Sequence, residues 1–344
     1  MKIDAPMTVL KGFPGLCGMD EPAVAMVNQR CALPGGLRCI LLAGGLKPTP
    51  LGAGAGMPAL RLFPDGKQSL INNWIERVSA LGVWQSDPEA SIEMRVVFDR
   101  SRDALEAPTE RGGVNLVFES ESGAYRGPAG VAHDVAERFP HDVTVLIAEA
   151  NRWLDVDLAP MVQEHAERGA DVTVARLADG APAGVYLARW QALHNVAPKG
   201  FVDLKEQWLA TLINEGMDVF VHTLAGQGSV PIRTREDLLT LAYGFATNTS
   251  TGVAMDPPIV SGVGVSAQER WSVISDRANV HESAVVIGSV VMPGAVVREN
   301  AVVARSVVPP GAVVEANSEV VDDIVRGDAM VATTMSATVW ERTP

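Results

Sequence analysis

The sequence predicts an α/β domain on a mixed, largely parallel sheet, followed by a short triangular coil of parallel strands. Two observations carry this. Aliphatic runs alternate with amphipathic stretches over residues 38–245, and a seventeen-residue unit near the C-terminus recurs almost unchanged. At 344 residues the chain is long enough for two domains. Its 47% hydrophobic and 20% charged residues describe a packed protein rather than a disordered one.

Residues 1–37 are expected to form an irregular extension, with scattered polar, Pro and Gly positions and no basic segment leading into an apolar one. The run Arg38-Cys39-Ile40-Leu41-Leu42-Ala43-Gly44-Gly45 reads as a buried strand entering a tight turn. Leu46 to Gly56, rich in Gly and Pro, reads as loop. Leu70, Ile71, Trp74, Ile75 and Val78 then share one face of a helix. Strands follow at Met94–Phe98, Val114–Phe118, Val143–Ile147 and Val172–Ala175, with a helix over Leu158–Arg168. In such sheets ligands bind at the carboxyl ends of strands, where Gly44 and Gly45 lie. Trp153 and Trp208 read as core or interface residues rather than base-stacking platforms.

The repeat sets AVVIGSVVMPGAVVREN (284–300) against AVVARSVVPPGAVVEAN (301–317), with twelve of seventeen positions identical. A weaker copy runs from Ser318 to about Ile324, and Val280 fits the register upstream. An aliphatic and a small residue recur at intervals of about six, the spacing of a coil with three short sides, inward aliphatics and small corner residues. This resembles the hexapeptide-repeat left-handed parallel β-helix. Such helices serve in acyltransferases and in assembly. His281 is the only histidine in the repeat and reads as a solvated corner residue, so assembly or docking is the expected role.

Several N-terminal segments, in order, resemble the sugar-phosphate nucleotidyltransferases (NDP-sugar pyrophosphorylases). These are Leu41–Gly45; Gly66-Lys67 with Leu70-Ile71; Gly127-Pro128-Ala129-Gly130, similar to a base-recognition turn; and Asp155–Leu158, just past a metal-binding position. Ala183-Gly184-Val185-Tyr186 resembles a sugar-contacting strand, and Thr234–Leu238 a closing motif. The resemblance implies a Rossmann-like, GT-A-like mixed-sheet domain over 38–246, a linker over 247–270, a β-helix over 271–325 and a tail over 326–344. It also implies nucleotide binding by Leu42, Ala43, Gly44, Gly45 and Gly127 to Gly130, and sugar binding by Gly184, Lys205 and Glu206.

In that family a sugar phosphate attacks the α-phosphorus of a nucleoside triphosphate and pyrophosphate leaves, which needs Arg, Lys and Mg²⁺ on two carboxylates. This chain departs at each point. Leu46-Lys47-Pro48-Thr49-Pro50-Leu51 lacks the signature Arg, and the signature Pro-Lys pair falls on Pro58 and Ala59. The first metal Asp falls on Asn151 and the second on Pro231, followed by Arg233 in place of a Gly. Lys47 and Arg61 are the candidate catalytic cations, with Arg126 also near the right loops. Asn151 and Asp155 are the candidate metal ligands, with Glu149 another carboxylate within reach. Mg²⁺ is expected only if the site is active, and no cofactor otherwise.

The loss of four charged roles together favours a catalytically degenerate homologue that binds a nucleotide or sugar phosphate in a regulatory or scaffolding role. An active nucleotidyltransferase with an atypical site is the alternative, and acyl transfer on the β-helix a remote one. The net charge of −13 argues against nucleic-acid and anionic-membrane partners. No run approaches the ~20 apolar residues of a membrane span. Cys17, Cys31 and Cys39 fit neither a zinc pattern nor a disulfide scaffold and read as free thiols in a reducing, cytoplasmic setting. Valine rows at an open coil end imply a homo-oligomer or a capping segment, and the family resemblance implies a partnership with a catalytic homologue through the β-helix.

Overall fold

The computed structural model describes residues 33–44, 48–85, 87, 90–99, 109–121, 126–225, 228–248 and 271–330. Cys17, Cys31, Gly45, Lys47 and most of the expected N-terminal extension, linker and tail lie outside them.

The α/β domain is built on an eight-stranded sheet. Its elements are β1 (Leu37–Leu42), α1 (Pro50–Ala55), α2 (Leu70–Ser79), β2 (Ile92–Phe98), β3 (Thr109–Arg111), β4 (Val114–Ser120), α3 (Gly127–Ala136) and β5 (Thr144–Glu149). There follow β6 (Arg152–Asp155), α4 (Ala159–Arg168), β7 (Val172–Arg176), β8 (Pro182–Arg189), β9 (Val219–Thr223), β10 (Gly228–Pro231) and α7 (Arg235–Asn248), with two short helices, α5 (Trp190–His194) and α6 (Leu209–Asn214), between β8 and β9. The strand order is β3-β4-β2-β1-β5-β8-β7-β9. β4, β2, β1 and β5 are parallel, and β8 runs antiparallel to both its neighbours, so the sheet is mixed. Both faces are covered. Trp74, Ile75, Leu41 and Met94 fill one side, and Ile40, Val145, Tyr186 and Trp208 the other.

The stretch 50–55, expected as loop from its Gly and Pro content, is the helix α1. Thr49 caps it by accepting from the Gly52 N–H at 3.1 Å. Pro50 sits where a helix needs no N–H donor, and Gly56 ends the helix at φ 72°. α2 starts at the Ser69 cap and buries Trp74 and Ile75. Its Asn73 exchanges hydrogen bonds with the Leu154 backbone (2.9 and 3.1 Å), and the Trp74 indole donates to the Ala150 carbonyl at 3.1 Å. These bonds fix the turn between β5 and β6.

The C-terminal strands form three parallel three-stranded faces. Val290 pairs with Val307, Val296 with Val313, and Val302 with Glu319, so the coil length equals the seventeen-residue repeat. The first coil begins at Ser272, whose strand pairs with the one from Ser289. Corners fall on Gly294 and Gly311, on Asn300 and Asn317, and on Gly288, Arg305 and Asp322, all at positive φ. The last corner is not built of small residues alone, as the sequence suggests. Arg305 and Asp322 accept αL geometry while forming a bidentate pair at 2.7 and 2.9 Å between coils. Inside, the buried Ser289 and Ser306 hydroxyls donate to Ile287 and Ala304 carbonyls at 2.7 Å, and Ser289 Oγ accepts the Ser306 N–H at 3.0 Å.

The β-helix packs directly on the α/β domain. Val290, Met292 and Val307 belong to the same buried cluster as Phe63, Leu51 and Met57. Beyond the last coil the chain crosses α1, where the Gly327 N–H donates to the Ala55 carbonyl at 2.9 Å and Ile324 fills the space beside Gly54.

Candidate functional site

A cleft opens at the carboxyl end of β1. Leu42, Ala43 and Gly44 form its floor, Thr49 and Gly52 of the α1 cap one wall, and Asp99 and Asn151 the other. The floor is aliphatic up to the strand end because β1 is a central strand, held by Ala43 N–H to Val97 O (2.8 Å) and Ala150 N–H to Leu42 O (3.0 Å). Gly44 is tight: a Cβ there would lie 2.7 Å from the Asp99 nitrogen and 3.0 Å from a Glu121 carboxylate oxygen. Asp99, at the end of β2, is a cleft residue that sequence reasoning missed. Its position one residue past a parallel strand was the available signal.

Among the described residues, no basic side chain lines the cleft. Arg61 points instead to the far end of the chain, donating to the Ala329 carbonyl at 3.1 Å. Arg126 is taken up by Asp134 and by the Gly200 carbonyl.

The two positions that the resemblance assigns to metal carboxylates are neighbours. β6 and β10 pair antiparallel with Pro231 opposite Arg152, and the Ile232 N–H donates to the Asn151 carbonyl at 2.8 Å. One of the two is an amide and the other a proline. Asp155 lies at the opposite end of this pair, across from Gly228, and is exposed outside the cleft. Mg²⁺ requires several hard, preferably charged oxygen ligands. Among the described residues there is no group of three or more Asp, Glu, His or Cys placed to hold a metal, and the pair at 151 and 231 does not fit a Mg²⁺ site.

Beside the cleft stands a charged cluster. Glu149 ends β5, and its Oε2 accepts from Arg152 Nε and from Arg233 Nη2, both at 2.9 Å. Arg152 is buried, also reaches Ser229 Oγ at 3.3 Å, and fills the space against Gly184, whose φ is 70°. Burial works to raise the Glu149 carboxyl, but the Arg152 and Arg233 guanidiniums, with Lys205 beyond them, outweigh it and hold it below the usual carboxylate range. Burial, with Glu149 and Asp203 nearby, pushes the Tyr186 phenol up. Gly184 thus packs against this cluster, while Lys205 and Glu206 stand exposed at a turn capped by Asp203. The Arg152–Glu149–Arg233 arrangement was not foreseen: Arg233 was noticed only as the replacement of a glycine.

The turn Gly127-Pro128-Ala129-Gly130 opens α3 and does not line the cleft. Its Ala129 N–H donates to the Val202 carbonyl at 3.1 Å, and a Cβ on Gly127 would meet Phe201 and Val202. Trp153 and Trp208 are buried, as expected, with the Trp208 indole donating to the Ala192 carbonyl. His281 is exposed and bonded to Ser283. Cys39 is a buried free thiol whose pKa burial pushes up. No described helix is long and apolar enough to cross a membrane.

Residues 243–339 match the family model described as GlmU-like, C-terminal hexapeptide. No curated protein matches the chain. Among solved structures, a Bacillus anthracis protein named as a glucose-1-phosphate thymidylyltransferase, in complex with a sucrose, is similar at 12% identity and TM-score 0.47, covering 60% of this chain and 94% of that one. HddC from Yersinia pseudotuberculosis is similar at 10% identity and TM-score 0.44, covering 60% and 99%. The family match lies on the C-terminal part of the chain and agrees with the β-helix built there.

Proposed function

We propose that this protein is a catalytically degenerate sugar-nucleotidyltransferase homologue that binds a nucleotide or sugar phosphate and acts in regulation or assembly. One observation carries the reading: Asn151 and Pro231 flank the β6–β10 pair side by side, where divalent-ion chemistry asks for two carboxylates. Cleavage of a triphosphate builds charge on the leaving pyrophosphate. The described part of the cleft meets that charge with Asp99 and the neighbouring Glu121 rather than with cations.

The alternative, an active enzyme with an atypical site, draws on the same two carboxylates as potential ion ligands beside Asn151. Pyrophosphate release separates the two. The purified protein is incubated with Mg²⁺, each nucleoside triphosphate and a panel of sugar 1-phosphates. Background-level release together with calorimetric binding is the expected result; release that disappears in an Asp99→Asn variant overturns the degenerate reading.

Assembly through the β-helix is supported by its outward apolar side chains. Ile274, Val313 and Val321 are 42%, 40% and 39% exposed. Light scattering at micromolar concentration is expected to give an oligomer; a monomer counts against this part.

A further inference from the structure

The geometry points to a phosphate subsite beside the cleft in which Arg233 and Lys205 supply positive charge in place of a divalent ion. It presupposes the ligand-binding role proposed above and gives it a chemistry. In a chain of formal charge −13, two cations, Arg152 and Arg233, bond the single carboxylate of Glu149, and a third, Lys205, acts on it electrostatically from farther off. The three are not equivalent. The Arg152 side chain is 7% exposed, bonded to Ser229 and wedged against Gly184, so it cannot leave. Arg233 is 51% exposed and bonds the carboxylate through Nη2 at 2.9 Å. Lys205 is exposed.

The site is tied to the cleft through the backbone. The Arg233 carbonyl accepts from the Leu51 N–H at 3.0 Å in the first turn of α1, and Ile232 bonds to Asn151. A phosphate arriving at this rim takes Arg233 from Glu149, while Arg152 keeps Glu149 neutralised. Glu149 is therefore an internal competitor for the ligand, occupying the guanidinium until an anion replaces it. The planar guanidinium fork suits a phosphate oxygen pair as it suits a carboxylate.

Calorimetry on the full chain tests this with two probes, inorganic pyrophosphate and glucose 1-phosphate, each titrated in Mg²⁺ and in EDTA. The expected result is binding of at least one probe with the same affinity in both media. Arg233→Gln weakens it by roughly tenfold, Lys205→Gln weakens it by less, and Glu149→Gln tightens it. A merely structural role for the cluster does not predict opposite signs for Glu149 and Arg233. Binding of glucose 1-phosphate assigns the phosphate to a sugar; binding of pyrophosphate alone assigns it to a nucleotide. Affinity that vanishes in EDTA, affinity unchanged in both Arg233→Gln and Lys205→Gln, or no binding of either probe overturns the inference. In those cases a nucleoside triphosphate titration separates the two readings: retained binding leaves the proposed function standing, and no binding overturns it as well. Should Glu149→Gln fail to fold, the two cation variants still decide.

Discussion

The Arg152 guanidinium lies in the space that a side chain at residue 184 would fill, so the glycine of the expected sugar-contacting strand faces the protein's own cation. Gly184 also holds φ at 70°, a geometry that disfavours any Cβ. Gly184→Ala is expected to cost about 3 kcal/mol, combining αL strain with displacement of a buried ion pair. Urea unfolding measures it, and a cost under about 0.5 kcal/mol would mean that Arg152 is free to move aside.

Glu149→Ala leaves Arg152 buried without its counter-charge, for an expected loss of about 3 kcal/mol. Because the folded-state pKa of Glu149 is lowered, its contribution is present above the unfolded value of about 4.5 and lost as pH falls through the folded one. The variant's stability curve is expected to be flatter than the parent's below pH 4.5.

His165 gives a second pH response. It is buried against Thr173, and burial lowers its pKa from 6.5 to about 4. The unfolded chain binds the proton first, so stability is full above pH 6.5 and declines as pH falls from 6.5 toward 4. His165→Gln is expected to abolish this slope in chemical unfolding series; an unchanged slope would assign it elsewhere.

In the β-helix, Ser306 both donates to the Ala304 carbonyl and accepts the Asp323 N–H at 3.1 Å. Ser306→Ala removes both bonds; the Ala304 carbonyl keeps the Asp322 N–H, the part-buried Asp323 N–H loses its acceptor, and the expected cost is about 1 kcal/mol. Ser306→Cys, a weaker donor of similar size, should fall between, as thermal unfolding would report.

β1, β2, β4, β5 and β7 were legible because each is an aliphatic run with a clear boundary, whereas the edge strands β3, which is polar, and β9 were not foreseen. The coil was legible because its repeat length is the hydrogen-bonding register itself. Helix α1 was not, since its Gly and Pro content reads as loop. It is helical because Thr49 and Gly56 cap it and because Ile324 and Arg326, far along the chain, pack where Gly54 and Gly56 have no side chains. The cleft floor at Leu42–Gly44 and the Asn151 wall followed from the motif order. The guanidinium cluster did not, because Glu149, Gly184 and Arg233 come together only through strand pairing. Asp99 was hidden for a different reason: it belongs to no motif and is placed only by the end of β2.

The bond from Gly327 to Ala55 joins positions far apart in sequence. During synthesis α1 therefore waits for its β-helix cover until the coils have left the ribosome. Contacts of such long sequence separation close slowly. Translation that stalls within the coils would release a species in which α1, one wall of the cleft, lacks the packing that Ile324 and Arg326 supply.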